Sequence, residues 1–315
     1  MRFFLDLREL KSDLAIVSLD GNHRIVKLDE EISRRLWVRS YYAKQPISIF
    51  FFPQLTYPLV PGNLVLEGTF QFPKEQSREM SMLLSSQVRQ ASTALRLSRP
   101  GSGFIRFHNY EYVGFFPETG TYGFPADISW HRFSYAIDGS VAAELQKRWP
   151  DSLIVAGRLE RTPPDVQTHI RLAIERLNSS FDKKVQADQF LDYMIALEAL
   201  CSRKNDAVSY RVALRVSTLI AKDATERQAV FDLISEAYKE RSNLAHGRPS
   251  KLTDPNAEFV RTYILRIEEV LIKTIHYFIR AEINTKKKEE VLKIVDTAIA
   301  TQDRTMLENS LTSNY

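Results

Sequence analysis

Cysteine is nearly missing from this 315-residue chain, and the one present, Cys201, cannot close an internal disulfide. It sits in the apolar stretch Ile195 to Cys201, where it reads as a small core hydrophobe rather than a nucleophile. Long apolar runs are also missing: Ile47 to Pro53 and Met194 to Leu200 fall far short of the roughly 20 residues that cross a bilayer. The first ten residues, MRFFLDLREL, carry Asp6, Arg8 and Glu9 where a signal peptide needs an unbroken apolar region. The expectation is a cytoplasmic protein with no membrane partner. An excess of one charge sign is lacking too. Residues 1–150 hold 18 basic and 15 acidic side chains and the remainder 25 and 24, so neither half is a basic module. No His/Cys cluster at metal-ligand spacing and no Gly-rich phosphate loop occurs; the expected metal and cofactor complement is none.

What is present is enough for two folded domains: hydrophobic residues make up 44% and charged residues 26%, the proportions of a globular chain. The first half alternates between strand and helix patterns. Leu64 to Phe72 is the clearest strand, with Leu64, Leu66, Phe70 and Phe72 on one face and Glu67, Thr69 and Gln71 on the other, after the turn residues Pro61-Gly62-Asn63. Shorter runs at Phe3 to Leu7, Leu14 to Leu19, Arg24 to Leu28 and Ile47 to Phe52 predict further strands. Between Glu75 and Arg99, the spacing of Leu84, Val88, Ala91 and Leu95 predicts a helix that Pro100-Gly101 ends. Phe104 to Phe116 and Tyr122 to Ala136 read as strands or extended loops. Their aromatics, with Arg106, His108 and Arg132 between them, fit a sheet core with a polar outer face better than a base-stacking platform. His108 and His131 receive no role.

After Thr162-Pro163-Pro164, which cannot lie inside a helix, the chain reads as helical. Five helices are predicted, over about 165–180, 184–202, 208–222, 226–245 and 254–282. The first carries Val166, Ile170, Ile174 and Leu177 in line. The fifth starts at Asp254 and Pro255 and carries a stripe of Phe259, Ile264, Ile267, Leu271, Ile275 and Phe278. The resulting division is an α+β domain over residues 1–157, an all-α bundle over 158–284 and a charged, solvated helical tail over 285–315.

The chemistry concentrates at the end of the fourth helix, in Tyr238-Lys239-Glu240-Arg241-Ser242-Asn243-Leu244-Ala245-His246-Gly247-Arg248. Val230, Ile234, Ala237, Arg241 and Leu244 share one helix stripe, which places a permanent cation in the middle of an apolar face. A guanidinium there needs a carboxylate, a phosphate or water, because leaving it bare costs several kcal/mol. His246 falls at the helix end, with Gly247 as the terminating residue; the carbonyls of a helix C-terminus favour imidazolium, which suits proton transfer. The bare spacing is weak, since chance supplies about 1.5 such Arg and His pairs in a chain of this composition.

Three ordered blocks carry more weight: LDYMIALEALC at 191–201, SYRVALRVSTL at 209–219 and AYKERSNLAHG at 237–247. They lie within a region of about 120 residues, from about Pro163 to Asn284, that resembles the Apea-like branch of the HEPN superfamily, whose members end a helix on Arg-x(4 to 6)-His. The resemblance implies a helical bundle that pairs as a homodimer over one RNA-cleaving cleft, without metal, in defence, toxin-like or RNA-processing systems. It implies Arg241 and His246 as the catalytic pair. Ser242 stands where the family often has Asn, Asp or His, and Asn243 follows one place later, so these two are supporting candidates. Glu198 interrupts the apolar run of the second helix and is a candidate partner for Arg241, although a water-facing carboxylate fits the pattern equally well. Arg211, Arg215 and Arg248 are candidate contacts for RNA phosphates. The α+β half is then expected to sense a trigger, restrain the nuclease or select its substrate, with restraint coming from that half or from a regulatory protein. Two other readings stand beside it: a non-catalytic HEPN module that binds nucleotide, RNA or protein, and a scaffolding dimer.

Overall fold

The computed structural model describes residues 2–7, 11–28, 30–31, 64–70, 80–101, 107–111, 119–123, 136–161, 168–181, 183, 185–204, 207–253, 257–283 and 287–312. They fall into two compact units, Met1–Glu160 and Arg161–Tyr315.

The first unit is α+β. Its strands are β1 (Arg2–Asp6), β2 (Lys11–Ser12), β3 (Ile16–Ser18), β4 (His23–Lys27), β5 (Leu64–Thr69), β6 (Phe107–Glu111), β7 (Thr119–Gly123) and β8 (Ala136–Ile137). Six of them form an antiparallel sheet in the order β3-β4-β5-β1-β6-β7, with Leu66 of β5 opposite Leu5 on one side and Ile25 on the other. Helices α1 (Met80–Ser98) and α2 (Gly139–Arg161) supply the rest of the core. Val88, Ala91 and Leu95 of α1 and Leu145 and Trp149 of α2 pack with Ile25, Leu64 and Leu66. The Trp149 indole N–H donates to Asp20 Oδ2 at 2.6 Å, tying α2 to the β3–β4 turn.

Three sequence expectations change here. The strand expected over 64–72 ends at Thr69, and the face opposite Leu64 and Leu66 is open only at its end: Val65 is 0% and Glu67 3% exposed, with Glu67 paired to Arg24 at 2.7 Å, while Thr69 is exposed. Helix α2 was not foreseen, although Asp138 caps it by accepting the amide protons of Ser140 and Val141 at 2.9 Å. The expected strand over 47–52, Pro61 to Asn63, Arg106, His131 and Arg132 lie outside the described residues.

The second unit is helical: α3 (His169–Ser180), α4 (Gln186–Cys201), α5 (Val208–Ile220), α6 (Ala224–Ala245), a 3₁₀ turn (Lys251–Thr253), α7 (Ala257–Ile283), α8 (Lys288–Thr301) and α9 (Thr305–Thr312). Helix α4 is the central one; Phe190, Tyr193, Met194, Leu197, Leu200 and Cys201 are all 0% exposed, as befits a helix that is apolar around most of its circumference. It packs on α3, α5, α6 and α7. Cys201 is sealed in this core, where burial pushes its thiol up to about 12. The stripe foreseen for α7 is buried from Ile264 to Phe278, but Phe259 in its first turn is 42% exposed. The start signal at Asp254 and Pro255, and Val166, lie outside the described residues.

The stretch expected to be a solvated tail packs on the bundle instead. Helix α8 buries Val291, Leu292, Val295 and Ala298 and lies against α5 and α7. Its Asp296 receives Arg215 Nε at 2.8 Å and Nη2 at 3.0 Å, and Lys288 Nζ donates to the Ala199 carbonyl of α4 at 2.7 Å. Among the described residues no helix is long and apolar enough to cross a membrane.

Candidate active site

The site is organised by α6. Asp223 opens the helix by accepting the Glu226 amide proton at 2.8 Å, and the Glu226 carboxylate accepts the amide proton of Lys222, just before the cap, at 2.7 Å, so one first-turn donor and one donor outside the helix are satisfied. Val230, Ile234 and Ala237 are buried against the bundle, and the same stripe reaches the surface at Arg241 and Leu244. The far end closes with a Schellman motif: Gly247 adopts φ +62°, its amide donates to Leu244 O at 3.2 Å, and the Arg248 amide donates to Asn243 O at 2.8 Å. Glu240, 6% exposed, then accepts Ser250 Oγ at 2.7 Å and the Lys251 amide at 2.8 Å. His246, the helix C-cap, is thereby held between a fixed turn and an anchored return segment.

Arg241 is paired and still accessible. Its Nη1 lies 3.1 Å from Glu198 Oε1, and Nη2 donates to Oε2 at 3.5 Å. Its side chain nonetheless keeps 39% of its surface exposed and lines a cleft of about 790 Å³ between α4, α5 and α6. That is the size range of small-molecule and nucleotide sites, about 300–1,000 Å³. Leu191 and Ile195 of α4 make an apolar wall, Tyr210 of α5 stands opposite, and Ser242 and His246 share the α6 side with Arg241. Glu198 reaches the guanidinium from α4 without lining the cleft. Tyr238 lies beside the pair; burial first, and then the Glu198 carboxylate, hold its phenol well above the usual range. Lys239 lines the cleft as well and has no ion-pair partner among the described residues.

The other residues singled out in the sequence divide. Ser242 is exposed in the cleft, whereas Asn243 lines a different hollow with Glu240, Lys251 and Arg266 and is not gathered with Arg241. Arg211 and Arg248 are exposed but line neither hollow. Arg215 is corrected: only 2% exposed, it is spent on Asp296 and on the Cys201 carbonyl at 2.7 Å, and no phosphate reaches it. Tyr210, Tyr238 and Lys239 lie in segments that the sequence marks but carry no role there. Tyr210, a large aromatic between Ser209 and Arg211 at a helix start, carried the only local hint. Among the described residues no three His, Cys, Asp or Glu side chains are grouped to hold a metal ion. Comparison with protein-family models, with characterised proteins and with solved structures finds no match to this chain.

Proposed function

We propose that the helical unit is a metal-independent endoribonuclease of HEPN type, cleaving RNA by attack of a ribose 2′-hydroxyl on the adjoining phosphodiester. The observation that carries this reading is the shared cleft: Arg241, aligned by Glu198 yet 39% exposed, opens onto the same hollow as His246. The resemblance of residues 191–247 to the Apea-like branch supplies the reaction.

In that reaction the 2′-oxygen bonds to phosphorus as its proton leaves, the bond to the 5′-oxygen breaks, and that oxygen takes up a proton. The products are a 2′,3′-cyclic phosphate and a 5′-hydroxyl. His246 exchanges a proton with the attacking or the leaving oxygen, and Arg241 stabilises the charge that builds on the non-bridging oxygens. Two copies of the chain, paired through the helical unit, would place two His246 side chains over one substrate, one for each proton. The α+β unit is assigned restraint or sensing, within a cytoplasmic defence or toxin-like system.

The test is incubation of the purified full chain with RNA in excess chelator, followed by end-group analysis. Cyclic phosphate ends from the wild type, lost with Arg241→Ala and with His246→Ala, are expected. Unchanged cleavage by both variants removes the reading. One observation favours a second reading, in which the unit binds RNA, nucleotide or protein without cutting: Glu198 already neutralises Arg241. Tight RNA binding with no cyclic ends under any condition would decide for it.

A further inference from the structure

Resting on the ribonuclease reading, we propose that Tyr210 is a base-stacking platform that restricts this cleft to single-stranded RNA, holding an unpaired base beside the phosphate that Arg241 contacts. Tyr210 is 56% exposed, whereas Tyr193, Tyr238, Tyr263 and Tyr277 of the same unit are all under 9%. It is not a loose surface side chain. Its ring meets Phe231 of α6 in a T-shaped contact, 5.8 Å between centroids at 79°, so the plane is restrained before any ligand arrives.

The ring also stands in the right place. Tyr210 lines the cleft from α5 while Arg241 and His246 line it from α6, and Leu191 and Ile195 give the space between an apolar wall. A phosphate paired with Arg241 or Lys239 leaves its nucleoside free to lie against that wall and against the exposed ring. Stacking of a base on an aromatic side chain contributes about 1–3 kcal/mol and needs no particular base identity, because every base has a π-face. A base inside a duplex has both faces covered by its neighbours and cannot make the contact. Selection for unpaired RNA with little sequence preference follows.

The experiment uses the full chain carrying His246→Ala, so that RNA is bound but not cut, and fluorescence anisotropy with three probes of equal length: an oligouridylate, the same backbone with every base replaced by an abasic spacer, and an RNA duplex. Tyr210→Ala is expected to weaken oligouridylate binding about 10-fold, to leave the abasic and duplex probes within twofold, and to be rescued by Tyr210→Phe. An unchanged oligouridylate affinity with Tyr210→Ala overturns the platform, as does an equal loss on the abasic probe. An equal loss accompanied by dissociation of a dimer in analytical ultracentrifugation would instead assign the ring to contact between two copies. If the parent chain binds none of the three probes, the ribonuclease reading itself fails, and the platform with it.

Discussion

Arg241 Nη1 lies 3.1 Å from Glu198 Oε1, across two different helices, while the guanidinium keeps 39% of its side-chain surface open. A cation where a buried helix stripe reaches the surface is held in one orientation by that carboxylate, and its remaining N–H groups stay available to a ligand. The pair therefore positions the cation without consuming it.

Separate substitutions should resolve the two roles. On the ribonuclease reading proposed above, Arg241→Ala removes the donor to the developing charge and is expected to lower the single-turnover cleavage rate about 10²–10³-fold. Glu198→Gln keeps the cation and loses only its alignment, so a drop of about tenfold is expected, with thermal stability little changed because both groups are partly solvated. Equal losses from the two variants would show that alignment is the whole contribution of Arg241.

Gly247 follows the candidate histidine directly and sits at φ +62°, yet a Cβ there would meet nothing within 4 Å. Any cost of Gly247→Ala must come from the left-handed backbone alone, about 1 kcal/mol in urea unfolding. Gly247→Asn should cost less, since asparagine tolerates that region. Both variants should cleave more slowly than their stability explains if the turn is what fixes His246. Cleavage at the wild-type rate in a destabilised Gly247→Ala protein would separate the histidine's placement from the turn.

Helix α6 was legible because its signals are local: the Val230, Ile234 and Ala237 stripe, and a glycine where the helix stops. Helix α2 was not read, although Val141, Leu145 and Trp149 recur every four residues, because Pro150 sits inside it and normally ends a helical pattern. The burial of Val65 and Glu67 on β5 depends on which side chains the neighbouring strands bring beside them, such as Arg24 of β4, and alternation within one strand cannot report that. Arg215 misled for the same reason. The partner that removes it from solvent is 81 positions away in α8, a segment whose run of charges suggested solvation. Arg241 and His246 lie five residues apart on one element, so their common cleft was foreseeable, whereas the Tyr210 wall required the packing of α5 on α6.

The Arg215 and Asp296 pair makes α8 part of the fold. Asp296→Ala leaves a guanidinium only 2% exposed without its carboxylate, and breaking a buried pair from one side costs about 3–5 kcal/mol. A large fall in the denaturation midpoint is expected, with Arg203, which also reaches Asp296 at 2.9 Å, losing a partner at the same time. Replacing Arg215 with Met and Asp296 with Leu together should recover much of the loss, since apolar side chains can fill the space the ions held. A midpoint unchanged by Asp296→Ala would show that residues 288–301 are an appendage to the bundle.

His169 gives the bundle a pH dependence whose sign can be worked out. Burial first, and then the nearby Lys288 ammonium, lower its pKa to about 4, and its ring packs edge-on against Phe278 at 5.5 Å. In the unfolded chain the imidazole takes up a proton near pH 6.5. Between about pH 6.5 and pH 4 the unfolded state thus binds more protons than the folded one, and stability falls as the pH is lowered through that window. Above pH 6.5 the group contributes no slope. Because the site is partly open to solvent, the loss should be on the order of 1 kcal/mol, below the full value of the shift. Urea unfolding at pH 7.5 and pH 5.0 is expected to show this loss in the wild type and a smaller one in His169→Gln. Lys288→Gln should fall between them, since it removes the lesser of the two causes and leaves burial in place. Identical pH slopes for wild type and His169→Gln would mean that the imidazole is as well solvated in the folded bundle as in the unfolded chain.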